Sequence, residues 1–239
     1  MSTKLEIAVF SVEAAVTALK AGAHRIEFCE NPQEGGTTPS YGSLKILRSF
    51  TTQPVFPIIR PRGGDFFYSR SEFEVMKTDL LIIKELGYLG AVIGLLNADG
   101  SIDTKRTQEL VDIAGSSMQI SFHRAFDRCN DPLIALEEII ATGCKRILTS
   151  GQVPNALDAL PLLKKLVEKA RDRIIIMPGS GVRSNNIKEI IQATGAKEIH
   201  SSARQMHASK MSFIKDSMKE NLQATGVDFD EIKKMLEQL

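Results

Sequence analysis

The chain has 239 residues, of which 43% are hydrophobic and 25% are charged, and its 30 Lys and Arg nearly balance its 29 Asp and Glu, for a formal net charge of +1. This composition is typical of a globular protein and excludes intrinsic disorder, because enough apolar surface is present to offset the chain entropy. The basic excess of proteins that bind nucleic acid or membrane surfaces is absent, so neither is expected as a partner.

Short β-branched runs alternate with amphipathic stretches along the whole chain. The predicted strands are residues 5–9, 25–29, 55–60, 91–95, 119–122, 146–149, 174–177 and 198–200. The predicted helices, with their caps, are residues 11–22, 43–50, 71–87, 104–114, 131–143, 156–170 and 185–195, and the tail from 228 to 239 is one more.

Local signals mark several element ends. Ser11 and Ser71 stand as N-caps before apolar-periodic runs, and Asp131 is an N-cap followed by proline at the first helical position. Gly22 is the C-cap expected after the first helix. Pro57 removes a ladder hydrogen bond, so the third strand is expected to be short.

Eight strand–helix units of about 30 residues predict a single-domain α/β protein, a (β/α)8 TIM barrel over residues 1–239 with an extra C-terminal helix at about 228–239. A doubly wound sheet is the rival architecture. The barrel is favoured because the units number eight, no composition break divides the chain, and no Gly-x-Gly-x-x-Gly follows the first strand. The apolar stripe of the C-terminal helix is expected to cover the barrel or a partner subunit.

Polar residues follow several of the predicted strands. In a TIM barrel the chemistry lies at the carboxyl ends of the strands, so these residues are expected to meet at one mouth. Glu27, His123 and Asp127 are the candidate catalytic residues, since a carboxyl group or an imidazole there can move a proton. A structural ion pair of Glu27 with Arg60 or Arg124 is the alternative.

Arginines and small residues at the same strand ends predict an anion site. Guanidinium groups bind carboxylate or phosphate, and small residues after the last two strands, glycines after the seventh and serines after the eighth, let backbone N–H groups approach an anion. The candidate anion-binding residues are Arg60, Arg62, Arg124, Gly179, Gly181 and Ser201. The alternatives are ion pairs within the loops and glycines that only form turns.

Cys29 is the single cysteine at a strand's carboxyl end and is the candidate metal ligand, with Cu(I) as the metal that prefers thiolate and thioether. Cys129, Met177 and His123 could join it only if folding brings them together. The alternative is that these cysteines are small core residues.

The three cysteines form no CxxC pair, which argues against a disulfide framework and indicates a reducing compartment. The segment from Met1 to Glu6 is charged where a signal peptide is apolar, and no run reaches ~18 apolar residues. A cytoplasmic location is therefore expected.

Six segments of the chain resemble the CutC family, which is named for copper homeostasis. They are residues 21–29 (AGAHRIEFC), 35–42 (GGTTPSYG), 59–66 (IRPRGGDF), 122–127 (FHRAFD), 148–151 (LTSG) and 177–181 (MPGSG). The resemblance implies a cytoplasmic TIM-barrel protein linked to copper homeostasis that often self-associates into a homo-oligomer.

Three functions stay open from the sequence. The resemblance, together with a cysteine at a strand end, favours copper homeostasis with weak Cu(I) binding through Cys29 and its neighbours. The charged strand ends instead favour an enzyme acting on a small phosphorylated or carboxylated metabolite. A ligand-binding barrel without turnover is the third.

Overall fold

Alternation of short buried strands with capped helices builds the TIM barrel that the sequence predicts. The computed structural model describes residues 3–239, so the first two residues of the predicted domain and of the charged N-terminal segment lie outside the described residues. The barrel strands are β1 (Lys4–Val9), β2 (Arg25–Phe28), β3 (Val55–Pro57), β4 (Gly90–Ile93), β5 (Gln119–Phe122), β6 (Arg146–Thr149), β7 (Ile175–Pro178) and β8 (Glu198–Ser201). The helices are α1 (Val12–Ala21), α2 (Tyr41–Phe50), α3 (Arg70–Glu85), α4 (Thr104–Ala114), α5 (Pro132–Ala141), α6 (Leu160–Ala170), α7 (Ile187–Thr194) and α8 (Phe229–Leu236).

The barrel wall consists of two four-stranded parallel sheets, ordered β3-β2-β1-β8 and β4-β5-β6-β7. A parallel bridge between Ile58 and Val92 joins them beside β3 and β4. On the other side β7 and β8 abut, since a Cβ on Gly179 would lie only 3.1 Å from the Cβ of His200. The closed ring brings all eight carboxyl ends to one rim, and the prediction of a barrel rather than an open sheet is confirmed.

The helix ends follow the capping chemistry, with one correction. The side chains of Ser11 and Asp131 accept backbone hydrogen bonds as N-caps of α1 and α5. The N-cap of α3 is Ser69 rather than the predicted Ser71, because Ser69 and Glu72 exchange both hydrogen bonds of a capping box.

Strand β3 ends at Pro57, three residues short of the predicted strand, because proline has no N–H to continue the ladder. A second difference is an antiparallel hairpin, β9 (Arg204–His207) and β10 (Ala224–Val227), where the sequence analysis assigns no element. All four residues of β9 are exposed, so the segment lacks the alternation that would have indicated a strand.

Helix α8 lies against the barrel, which is one of the two alternatives left open for the C-terminal helix. It packs on α1, and its Leu236 reaches to 3.1 Å from the Cβ position of Gly22. Ile232 and Met235 are fully buried, and Glu231 accepts hydrogen bonds from the backbone N–H and the hydroxyl of Ser184. Within residues 3–239 no helix is both long enough and apolar enough to cross a bilayer.

We expect Ile232→Ala to lower the free energy of unfolding by about 2–5 kcal/mol, because it leaves a cavity between α8 and the barrel. Phe229→Ala is the matched control: its side chain on the same helix is 41% exposed, so its loss should be much smaller. Urea denaturation measures both, and equal losses would contradict this packing.

Candidate functional site

A cavity of about 490 Å³ opens at the carboxyl ends of the barrel strands, and we call it the mouth cavity. Its wall includes eight of the ten residues predicted for the site: Glu27, Cys29, Arg60, His123, Arg124, Asp127, Gly181 and Ser201. Arg62 and Gly179 do not line it. The fold therefore brings most of the predicted polar residues together, as the strand-end rule requires.

A chain of buried charges lies inside the barrel below the mouth cavity. Arg25 is hydrogen-bonded to Glu6 and lies 2.5 Å from Glu198, which also accepts from Arg146 at 2.8 Å. All four side chains are less than a tenth exposed. Pairing offsets much of the desolvation cost of these charges, and removing one partner would leave another buried and unpaired.

His200 connects this chain of charges to the mouth cavity. Its Nδ1 lies 2.8 Å from Oε1 of Glu6, and its Nε2 lies 3.7 Å from Oε2 of Glu27. Burial opposes charge on His200, but Glu6 and Glu27 outweigh it and raise the pKa of the imidazole. Burial also opposes ionisation of Glu6, yet Arg25 and His200 lower its pKa to about 2.

Glu27 is the carboxyl group at the cavity floor, and it is buried. Burial raises its pKa to about 7, the Glu6 charge adds to the rise, and His200 opposes it. A group that titrates near neutral pH can both take and give a proton under cellular conditions. The position and the chemistry of Glu27 therefore suit the proton-transfer role predicted for it.

His123 faces the same cavity with a different protonation state. Its Nδ1 accepts a hydrogen bond of 3.1 Å from the backbone N–H of Ala125, at the start of a 3₁₀ turn, Arg124–Arg128. Burial, together with the charges of Arg60 and Arg124, lowers its pKa to about 3. The ring is thus neutral, its proton is on Nε2, and that nitrogen has no partner within residues 3–239. His123 is suited to donate a hydrogen bond rather than to accept a proton.

Arg60 is a buried cation held entirely by main-chain oxygens. Nη1 donates to the carbonyls of Glu34 and Gly36, and Nη2 donates to the carbonyl of Gly64 at 2.8 Å. The guanidinium lies 5.0 Å from the ring centre of Phe66, and its Nε–H has no partner in the described chain. Carbonyls orient the group but do not neutralise its charge.

Arg62 is only two residues away and has a different environment. It forms ion pairs with Glu72 at 2.5 Å and with Asp65 at 2.9 Å, and it donates to the carbonyl of Phe67. Its hydrogen bonds order the loop before α3, outside the mouth cavity. The anion-binding role predicted for Arg62 stays a prediction, and its contacts are those of the alternative, a loop ion pair.

Asp127 and Arg124 form an ion pair at the rim, 2.8 Å between Nε and Oδ2. Oδ1 of Asp127 accepts from the hydroxyl of Thr149 at 2.5 Å, and both oxygens accept from the backbone N–H of Ser150. Gln152 adds another backbone donor. Because these bonds occupy both oxygens, Asp127 is placed to tie the loop after β6 to that after β5. Its predicted part in proton transfer stays untested.

The loops after β7 and β8 form the opposite side of the mouth cavity. Gly181 has a φ of +69°, and the N–H groups of Gly181 and Ser202 have no acceptor among the described residues. The hydroxyl of Ser201 donates to the carbonyl of Val182 and so holds the two loops together. Gly179 lies below, where a Cβ would be 2.5 Å from Leu148, so its role there is close packing.

Cys29 lies in the cavity wall and is buried. Burial and the neighbouring Glu27 raise the pKa of its thiol well above the ordinary value. Met177 accepts from Arg25 below the cavity, and Cys129 accepts from Gln152 outside it. Across residues 3–239 no three His, Cys, Asp or Glu side chains are grouped to hold a metal ion. The donors near Cys29 therefore do not fit a closed copper cage.

Three further arginines line the mouth cavity and are not among the anion-binding residues predicted from the sequence: Arg128, Arg183 and Arg204. Arg183 and Arg204 follow β7 and β8 within five residues, so the rule that selected Arg60 could have selected them. The buried charges of the barrel interior carry no such signal, because the sequence alone does not show which face of a strand of only four to six residues points inward.

The CutC family model matches residues 3–205 of the chain. The CutC family protein of Photorhabdus laumondii is 51% identical over 213 residues, covering 89% of this chain and 85% of that protein. The human copper homeostasis protein cutC homolog is 46% identical over 214 residues, covering 90% and 78%. The crystal structure of the CutC protein from Streptococcus agalactiae superposes with a TM-score of 0.79 at 33% identity, covering 84% of this chain and 98% of that one.

The raised pKa of Glu27 predicts a pH-dependent difference between the wild type and Glu27→Gln. The neutral carboxyl stabilises the fold fully below about pH 4.5, and this contribution is lost as the pH rises through about 7. We expect the free energy of unfolding of the variant, relative to wild type, to rise by on the order of 2 kcal/mol between pH 5 and pH 8. Urea titrations measure it, with Glu85→Gln on the exposed end of α3 as control. A pH-independent difference would contradict the assignment.

Proposed function

The chain belongs to the CutC family, and we propose that it is an enzyme that binds a small anionic metabolite in the mouth cavity and transfers a proton on it. One observation carries the proposal. Five arginines line the cavity, and only Arg124 is paired with a carboxylate. Within residues 3–239 the other four have no carboxylate at ion-pair distance: Arg60, Arg128, Arg183 and Arg204. We call them the unpaired arginines.

The charge balance of the wall supports an anionic ligand. Besides the unpaired arginines the wall holds Arg124, which is neutralised by Asp127. The other acids are Glu34 and Glu27, and Glu27 is in part protonated at neutral pH. A concave, positively charged site attracts anions and holds them more strongly than open solvent allows.

Glu27 and His123 give the site complementary chemistry. Glu27 titrates near neutral pH, so it can remove a proton from a carbon and return it to a neighbouring atom. His123 stays neutral and carries an unpartnered Nε2–H, a donor for an oxygen on which negative charge develops. An acid–base group and a neutral donor in one cavity support proton transfer next to a carbonyl group, the chemistry of isomerisation and enolisation.

Deuterium exchange tests the reaction class without knowledge of the product. We expect the protein in D2O to incorporate deuterium next to the carbonyl of a small anionic ketone, with dihydroxyacetone phosphate, pyruvate and oxaloacetate as probes and mass spectrometry as the readout. Glu27→Gln should lower the exchange rate by about 10²- to 10⁴-fold, the range of a general acid–base group.

Glu85→Gln is the matched control and should exchange at the wild-type rate, since that residue is exposed on a helix outside the barrel. Equal exchange by Glu27→Gln and wild type would exclude the role of Glu27. If the three anionic ketones bind but none of them exchanges its protons for deuterium, the protein is a ligand-binding barrel without turnover.

Copper binding is the second candidate function, because the family is named for copper homeostasis. One observation favours it: the Cys29 thiol lies in the cavity wall. Thiolate is the form that binds a soft metal, and the raised pKa of Cys29 makes it scarce at neutral pH. From this single-thiol donor set we infer that Cu(I) binds only weakly, through Cys29.

Competition with a chromogenic chelator measures this Cu(I) affinity on the reduced protein. We expect it to increase with pH, because more thiolate forms, and to fall at least about tenfold in Cys29→Ser. Cys144→Ser is the control, since Cys144 is buried and accepts a hydrogen bond from Thr142, outside the cavity wall. Equal affinities of Cys29→Ser and wild type would remove the copper site.

We also propose that the protein works in the cytoplasm as a homo-oligomer. The three cysteines are free, which suits a reducing compartment. Large apolar side chains are exposed between β9 and β10, among them Met211, Phe213 and Met218, and such patches mark association surfaces.

A further inference from the structure

We propose that the ligand of the mouth cavity carries two anionic groups, a carboxylate at Arg60 and a phosphate at Arg183 and Arg204, joined by a short spacer that lies over Glu27. This inference rests on the proposed function and adds the class of substrate: a phosphorylated carboxylic acid of a few carbon atoms.

The first anion subsite is centred on Arg60. Its side chain is only 5% exposed and lines the cavity, yet it has no carboxylate partner in the described chain. Three hydrogen bonds to carbonyls and the ring of Phe66 hold the guanidinium in one orientation. Its Nε–H is still without an acceptor. The carbonyls take three of its five N–H donors, and the two that remain, Nε–H and one hydrogen of Nη2, equal in number the two oxygens of a carboxylate.

The second anion subsite lies between the loops after β7 and β8. The Arg183 side chain donates to the main-chain carbonyl of Arg204 at 3.1 Å, so it lies against the loop after β8 that also carries the Arg204 side chain. Arg204 stacks over Phe10 at 5.0 Å, and the N–H groups of Gly181 and Ser202 nearby have no acceptor among residues 3–239. Two cations with free N–H groups suit the higher charge and the three oxygens of a phosphate.

Strand order places these subsites on different sides of the mouth cavity. Arg60 follows β3, and Arg183 follows β7, which is four strands away around the ring of eight. Arg204 follows β8, which is three strands from β3. One compact anion cannot contact both sides of a cavity that, as a sphere, would be roughly 10 Å across, whereas a ligand with two charged ends can.

The floor between the two subsites explains why the middle of the ligand is uncharged. Glu27 and His200 lie there, with the cavity-facing residues Ala8 and Leu148. His200 lies 3.7 Å from Glu27 and offsets its charge, so the floor offers no unpaired cation to a third anion, whereas Glu27 can act on a neutral carbon. Holding both ends of the ligand fixes that carbon over Glu27, which is the positioning that proton transfer requires.

Phosphonocarboxylates with one to five methylene groups between the two acids test the proposal, with methylphosphonate and alkylphosphonates of matched length as comparisons. Isothermal titration calorimetry on the wild-type chain measures each dissociation constant. We expect an optimum at about three methylene groups, with affinity at least about 30-fold above that of the alkylphosphonate of the same length, because the second anion binds intramolecularly.

Variants of the arginines test which subsite binds each end of the ligand. Arg204→Gln should weaken both methylphosphonate and the best phosphonocarboxylate about tenfold or more, because both use the phosphate subsite. Arg60→Met should reduce the phosphonocarboxylate to the affinity of its alkylphosphonate and leave methylphosphonate unchanged. Arg171→Gln, at the exposed end of α6, should change nothing.

Arg60→Met removes the hydrogen bonds that hold the surrounding loops and can unfold them. The two-subsite inference is therefore tested on the wild-type chain alone, by comparing phosphonocarboxylates with alkylphosphonates of the same length. Binding of methylphosphonate with no gain from a second acid group would overturn the two-subsite inference and leave the proposed anion site standing. Failure of every probe, methylphosphonate included, would overturn both.

Discussion

The site depends on a line of buried charges through the barrel interior. Glu6, Arg25, Glu198 and Arg146 neutralise one another where a TIM barrel commonly packs apolar layers. Because burying any one of these charges without its partner is costly, the ion pairs hold the four side chains in fixed positions. His200 is hydrogen-bonded to the upper end of this line, and its other nitrogen faces Glu27. The buried charges below the cavity therefore act on the protonation of its floor, in addition to the burial of Glu27 itself.

The arginines near the mouth divide into two groups by their partners. Arg62 and Arg124 are neutralised by carboxylates and order loops, whereas Arg60 is oriented by main-chain carbonyls that leave its charge intact. The distinction matters because an arginine already paired with an acid has little affinity left for an anionic ligand. Position at a strand end is thus insufficient evidence that an arginine binds an anionic ligand. What matters is whether its hydrogen-bond acceptors are carboxylates, which neutralise its charge, or main-chain carbonyls, which do not.

The sequence predicts the fold because strand and helix periodicity, N-caps such as Ser11 and the number of units all agree. It predicts part of the site, since the strand-end rule brings Glu27, Arg60 and His123 to one cavity. What it could not predict depends on tertiary contacts: the pairing of Arg62 with Glu72, and the saturation of Asp127 by backbone N–H groups. The hairpin was missed because exposed strands carry no apolar pattern.

The hairpin after β8 is anchored at both ends. The backbone N–H of Asp228 donates to the carbonyl of Ala203 at 2.8 Å, and Val227 pairs with Arg204 in the ladder. The stretch from 208 to 223 therefore leaves and re-enters the barrel at nearly one point, and the family match ends at residue 205, before it. A segment closed off in this way can change in length and sequence without moving the cavity below. Because this segment carries the exposed Met211, Phe213 and Met218, substitutions in it would change how the protein associates while the chemistry of the cavity stays the same.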